Sequence, residues 1–288
     1  MTLPTFEVLR PKTLAEALRW LAAQPDAFPI AGGTNLIPDA RAGKLDPNTV
    51  IDISTLAELR GIRVKDDQVR IGACTTIAEL LSSKEIAAQA PVLHASAKTF
   101  ANTLIRNRAT IGGNLVNNAP CADTAPALLV LDAEVELSSE GGKRWLRLAD
   151  FLQAPFSVDK EDQEMLTAVR FGVPPANRIG RFRKMGLRKI SCMAKVDVAM
   201  LLTFDDAHKC SDARLSLGAA CPTALRAAEA ETALTGKELS PDCIRTVAEA
   251  AARAAVPREG SEYKQQVVAG LVRQLLQEIA EEVGGTDG

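Results

Sequence analysis

The sequence predicts an α+β fold in two domains, and three observations point to it. Strand-like and helix-like stretches are interspersed as far as Phe171. Pro174-Pro175, followed by Ala176-Asn177-Arg178, then breaks the pattern and marks a domain boundary. Beyond it, two strand-like stretches precede three helical ones. With 288 residues and 47% hydrophobic composition, the chain can bury one large core or two moderate ones. The expected division is 1–176 and 177–288.

Each element has a local reason. Thr13 with Glu16 makes a capping-box pattern ahead of the apolar-periodic Leu14 to Gln24, which predicts a helix. Phe28 to Ala31 and Val50 to Ile53 read as short strands. Ile62, Val64, Val69 and Ile71 alternate with polar residues around Asp66-Asp67, which predicts a hairpin. Thr76 with Glu79 is a second capping box opening a helix through Leu81, and residues 91–109 read as helical and then irregular. Ala133 to Leu137 and Met165 to Phe171 are strand candidates, as are Val196 to Phe204 and Ala213 to Ala219. Helices follow over 223–235, closed by Gly236, then 241–255 and 264–282. The apolar stripes on these helices are core positions.

Charge and composition exclude some functions. The net charge is −2, from 34 basic and 36 acidic residues, which gives no field to steer a nucleic acid. The longest strictly apolar stretch is the seven residues Ala125 to Leu131, too short for a membrane span. Met1 to Arg10 lacks the features of a signal peptide, so a cytoplasmic protein is expected. Cys74, Cys121, Cys192, Cys210, Cys221 and Cys243 are scattered without the spacing of a zinc or iron–sulfur site, so no metal is expected on this chain.

Two glycine-rich turns carry the visible chemistry: Ile30-Ala31-Gly32-Gly33-Thr34-Asn35-Leu36 and Thr110-Ile111-Gly112-Gly113-Asn114-Leu115. Glycine lets backbone approach a ligand closely, and consecutive amides in such turns converge on anions. Two such nests would grip the two phosphates of a dinucleotide without a lysine. A lone Gly-Gly after a strand ordinarily makes only a tight turn. On composition alone the structural and ligand-binding readings stay balanced. Neither turn fits the Rossmann or Walker pattern.

At these residues, together with Pro120-Cys121-Ala122-Asp123-Thr124-Ala125-Pro126-Ala127-Leu128 and a late Arg183-Lys184, the chain resembles a known family. That family is the FAD-binding medium subunits of molybdenum hydroxylases, of the carbon monoxide dehydrogenase and xanthine dehydrogenase type. The resemblance covers nearly the whole chain. It implies a vanillyl-alcohol-oxidase (PCMH) type FAD domain with subdomains of about 1–56 and 57–176. A C-terminal α+β domain with a small antiparallel sheet and helices would follow. FAD would lie extended between the domains, its pyrophosphate on both glycine turns.

Carried over singly, Ala31, Gly32, Gly33, Thr34 and Asn35 would bind phosphate, with Leu36 packed against the cofactor. Thr110, Ile111, Gly112, Gly113 and Asn114 would form the second phosphate turn. Asp123 would accept hydrogen bonds from cofactor hydroxyls. Phe100 would lie beside a ring system, Leu166 at the adenine or flavin edge, and Lys184 with its charge near the flavin. Without the resemblance, Phe100 and Leu166 read equally as core residues. Lys184 falls in the basic run Arg178, Arg181, Arg183, Lys184, Arg188, Lys189, ordinarily a solvated face.

The resemblance further implies partners: a large molybdopterin-binding subunit and a small [2Fe–2S] subunit, assembled as a dimer of heterotrimers. Electrons would arrive from the clusters and leave to NAD, oxygen or a quinone-linked carrier, with no catalytic acid or base on this chain. Two alternatives stay open. One is an autonomous FAD-dependent oxidoreductase on the same fold, which would need a general acid or base where His94, His208 and Tyr263 offer little. The other is a scaffold that has lost FAD.

Overall fold

The computed structural model describes residues 4–24, 26–188 and 191–284. In chain order, β1 (Glu7–Leu9), α1 (Leu14–Ala23), β2 (Phe28–Ile30), α2 (Leu36–Arg41) and β3 (Thr49–Asp52) come first. Next are β4 (Ile62–Lys65), β5 (Gln68–Gly72), α3 (Ile77–Ser82), α4 (Lys84–Gln89) and α5 (Pro91–Thr99). Then come α6 (Thr103–Arg106), α7 (Ile111–Asn117), α8 (Thr124–Val130), β6 (Glu134–Ser139) and β7 (Gly142–Arg147). They lead to α9 (Leu148–Phe151), β8 (Leu152–Ala154), β9 (Ser157–Val158) and β10 (Met165–Gly172). The remainder is β11 (Arg178–Met185), β12 (Val196–Phe204), β13 (Cys210–Gly218), β14 (Leu225–Arg226), α10 (Ala228–Leu234), α11 (Pro241–Ala254) and α12 (Tyr263–Gly284).

Two compact units result, and neither is continuous in sequence. The first holds the described residues of Met1–Glu85, Ala101–Asn118 and Ala133–Gly172. The second holds Ile86–Phe100, Ala119–Asp132 and the described residues of Val173–Gly288.

In the first unit a parallel sheet, ordered β1-β3-β2, packs against α1. Ala17, Leu18 and Leu21 of that helix are buried with Ile51, Ile53 and Leu59. Thr13 caps α1 by accepting from the Glu16 amide at 3.2 Å. The return half of the expected box differs: the Glu16 carboxylate accepts from Lys12, at 2.6 Å, one residue before the cap. The second box, Thr76 with Glu79, is complete at the start of α3. A five-stranded antiparallel sheet, ordered β4-β5-β10-β6-β7, is the larger sheet of this unit, and β8 pairs with β9 separately. Asp66 and Asp67, at φ 50° and 54°, make the β4–β5 hairpin, since two consecutive left-handed residues match the strand twist. β10 lies between β5 and β6, which is why Met165 to Phe171 reads as almost continuously apolar.

In the second unit the antiparallel sheet β11-β12-β13-β14 has different cover on its two faces. Val196, Val198, Met200 and Leu202 of β12 pack with α11 and α12 residues such as Val247, Val272, Leu275 and Ile279. Side chains alternate across a strand, so Asp197, Ala199 and Leu201 face the other side, where α8 packs on β12 and β13. Two expectations are corrected here. The helix expected over 223–235 spans Ala228–Leu234, because Leu225 and Arg226 instead pair with Leu217 and Ser216 as the sheet edge. The basic run is largely the strand β11, not a uniformly solvated face.

Candidate functional site

β2 delivers the chain into the first glycine turn. A Cβ on Gly32 would lie 1.9 Å from the Arg108 carbonyl oxygen and 3.1 Å from the Ala109 nitrogen, so only glycine fits. Gly33 has φ +69°, a region glycine enters without strain. The first turn thus rests on the residues that lead into the second, and the two adjoin. Carbonyl groups of Gly33 and Asn35 accept from Ile37 and Asp39 at 3.2 and 2.9 Å. Among the described residues, the amides of Gly32, Gly33, Thr34 and Asn35 donate to no protein acceptor. Successive open amides beside a hydroxyl and a carboxamide suit a phosphate. Ala31 and Leu36 flank them, half-buried.

The second turn is built differently. Thr110 is the N-cap of α7 and accepts from Gly113 at 3.1 Å, while its carbonyl accepts from Asn114 at 3.0 Å. Ile111 and Gly112 donate to the carbonyls of Thr75 and Ala73 at 3.0 and 2.9 Å. All four amides are therefore engaged within the protein. The physical reason is pairing with the Ala73–Thr75 segment, against which Gly112 packs so closely that an added Cβ would meet Ala73 Cβ at 2.7 Å. The backbone amides of this turn are thus occupied within the protein, while the two residues before it, Arg108 and Ala109, pack against Gly32. Leu166 is placed by the same ladder. Buried in β10, it precedes Thr167, whose carbonyl accepts from Ala73 at 3.0 Å.

The other three expected residues, Phe100, Asp123 and Lys184, belong to the second unit, where Asp123 and Lys184 meet. Phe100 is the C-cap of α5 and is buried. Lys184, on β11, donates to Asp123 Oδ2 at 2.7 Å and to the Thr99 carbonyl at 3.3 Å. Its side chain is 4% exposed and that of Asp123 7%. The rest of the basic run divides by strand alternation and by long-range pairing. Arg183 pairs with Glu278 at 2.8 Å and Arg181 with Glu282, both acids on α12. Arg188 binds the Ser191 carbonyl, and Lys189 lies outside the described residues.

Asp123 Oδ1 is buried with no hydrogen-bond partner among the described residues. A carboxylate with one oxygen held by a buried lysine and the other open is an acceptor lacking a donor. Burial pushes the Asp123 carboxyl up to about 6, against the opposing pull of Lys184. Within the second unit this orphaned oxygen suits a donor such as a cofactor hydroxyl, and within the first the open amides of the glycine turn suit a phosphate. The cysteines offer less: Cys74 and Cys210 are buried, and burial pushes both thiols up to about 12, which makes them inert.

Sequence reasoning passed over Asp197. It is fully buried on β12, opposite Lys184 on one side and Gly218 on the other. The signal available was a single carboxylate within the apolar run Val196 to Leu202.

Against this geometry, two family models match the chain. Residues 4–174 match the FAD binding domain in molybdopterin dehydrogenase, and residues 181–279 match the CO dehydrogenase flavoprotein C-terminal domain. The chain is 30% identical to the glyceraldehyde dehydrogenase medium chain of Sulfolobus acidocaldarius, covering 96% of this chain and 99% of that one. It is 33% identical to the carbon monoxide dehydrogenase medium chain of Afipia carboxidovorans, covering 95% and 96%. A solved structure of Cu,Mo-CO dehydrogenase superposes with TM-score 0.91 at 32% identity, covering 95% of this chain and 97% of that one. The chain belongs to the molybdopterin dehydrogenase flavoproteins, as a medium, FAD-binding oxidoreductase subunit of the molybdenum hydroxylase family.

Proposed function

We propose that this chain is the electron-relaying subunit of a cytoplasmic molybdenum hydroxylase complex and that it holds the FAD. In this reading residues 1–176 form the FAD-binding domain, with subdomains of about 1–56 and 57–176, and 177–288 the C-terminal domain. Bound FAD would store two electrons, letting single electrons from [2Fe–2S] clusters on a partner reach NAD, oxygen or a quinone-linked acceptor in pairs. The partners are a large molybdopterin-binding subunit and a small [2Fe–2S] subunit, in a dimer of heterotrimers.

The chain's own residues have binding tasks. Amides of Gly32, Gly33, Thr34 and Asn35, with the Thr34 hydroxyl and Asn35 carboxamide, hold pyrophosphate oxygens. Thr110, Gly112, Gly113 and Asn114 form the second turn, in which the Thr110 and Asn114 side chains add contacts and the two glycines allow close packing. Asp123 accepts from cofactor hydroxyls through Oδ1, and Lys184 fixes Asp123 while bringing a positive charge to the site. Ala31, Leu36, Phe100, Ile111 and Leu166 supply apolar walls that exclude water.

The observation that carries the reading is the orphaned Oδ1 of Asp123. Relatives of matching length that are themselves named medium chains support the placing of molybdenum and clusters on other polypeptides. Among the described residues, no helix is long and apolar enough to cross a membrane. The test is purification from the native host. The reading expects molybdopterin- and [2Fe–2S]-containing chains to accompany this one, and acceptor reduction only when all three are combined. Substrate turnover by this chain alone would overturn it.

A further inference from the structure

One cation and two acids share the buried side of β12. Asp197 has no exposed surface, and among the described residues neither carboxyl oxygen makes a well-formed hydrogen bond, although the backbone amides of Asp197 and Gly218 lie close by. It stands directly across the sheet from Lys184, where opposed residues hold their Cβ atoms roughly 5 Å apart. On its other side is Gly218, whose missing side chain makes the room: a Cβ there would lie 1.9 Å from Asp197 Oδ1. Lys184 nonetheless gives its hydrogen bond to Asp123. Two ionised carboxylates around one ammonium would leave an excess negative charge in an apolar interior, which is strongly disfavoured.

We propose that Asp197 is a positioning residue for the FAD site: held as a neutral acid beside Lys184, it leaves that lysine committed to Asp123 and so leaves Asp123 Oδ1 open to a cofactor hydroxyl. The inference rests on the binding role given to Asp123 above. If Asp197 loses its proton to bulk water, a second anion competes for the Lys184 ammonium, and Asp123 loses part of its anchor. Cofactor binding then weakens on the alkaline side.

Burial, followed by the Asp123 charge, pushes Asp197 well above the usual carboxylate range, while Lys184 and the nearby backbone amides of Asp197 and Gly218 oppose this. The ionisable groups interacting with it are Asp123 and Cys121 beside α8, Lys184 on β11 and Cys221 beyond β13; Lys264 on α12 acts on both cysteines. Burial pushes both thiols up as well, so an alkaline effect has other conceivable sources, which the variant separates.

The experiment titrates the purified full chain with FAD across a pH series, in wild type and Asp197→Asn, with circular dichroism confirming that both are folded. Wild type is expected to lose affinity at both ends of the series. Asp197→Asn, which cannot ionise, should keep the acid limb and lose the alkaline one, leaving it several-fold tighter than wild type there. Infrared spectra should show a protonated carboxyl band at neutral pH in wild type that is missing from the variant. Asp197→Ala serves as the second variant: it too should lack the alkaline limb, and it carries the test if the Asp197→Asn chain folds poorly. An alkaline limb unchanged in the variants, or no protonated carboxyl band in wild type, overturns the role of Asp197. A wild-type chain that binds no FAD at any pH instead overturns the reading of Asp123, while the infrared band still reports the state of Asp197.

Discussion

Asp123 is a charged acceptor through both oxygens only while ionised, and burial has moved its carboxyl up to about 6. Protonation converts the oxygen that should receive a hydroxyl into a donor or leaves it neutral, so FAD affinity should fall as pH falls through that value. Linkage of one proton limits the loss to about tenfold per pH unit. Flavin fluorescence titrations between pH 5 and 8 would read it, and a flat profile would contradict the role. Gly32 gives a steric test of a different kind. Gly32→Ala puts a methyl group into the Arg108 carbonyl, so the turn must shift. A cost of about 1–3 kcal/mol is expected, by analogy with overpacked cores. Bound flavin should decrease with it, measured by urea denaturation and by absorbance of the purified variant. Full flavin content with unchanged stability would show that the contact does not matter.

At the scale of elements, local rules worked where the signal was local. The Thr76–Glu79 box and the Asp66-Asp67 hairpin formed as expected, and Val196 to Phe204 is a strand with those bounds. β11 was illegible because its basic residues interrupt the apolar alternation. What makes it a strand is pairing with β12 and with acids on α12, nearly a hundred residues later. The engaged amides of Ile111 and Gly112 in the second turn were hidden for the same reason, since their acceptors, Thr75 and Ala73, lie far back in the chain. Past the end of α7, Asn118 takes a left-handed conformation and donates through Nδ2 to the carbonyls of Ala154 and Ser157 at 2.8 and 2.9 Å. Those bonds brace the β8–β9 hairpin and hold Phe156, itself at φ 61° and exposed, at its tip. Asn118→Ala should cost about 1–3 kcal/mol, because two hydrogen bonds worth about 0.5–1.5 kcal/mol each are lost. Thermal unfolding would check it; an unchanged midpoint would mean that water replaces the amide.

For the whole molecule, the α+β class was legible from the order of strand-like and helix-like stretches, and the family from two glycine turns and the segment around Asp123, because those motifs are contiguous. The make-up of the two units was not, since stretches 86–100 and 119–132 join the C-terminal unit through packing that no local pattern encodes. The same limit hid Asp197, whose significance depends on a lysine one strand away. The central claim is that this polypeptide holds FAD through open amides and one half-satisfied buried carboxylate. The most direct measurement is equilibrium titration of the purified full chain with FAD, in wild type and Asp123→Asn. The account predicts one flavin per wild-type chain, and binding weakened by roughly 10- to 100-fold in the variant, the worth of a hydrogen bond to a charged group. A wild-type chain that binds no flavin, or a folded variant that binds it equally well, would contradict the account.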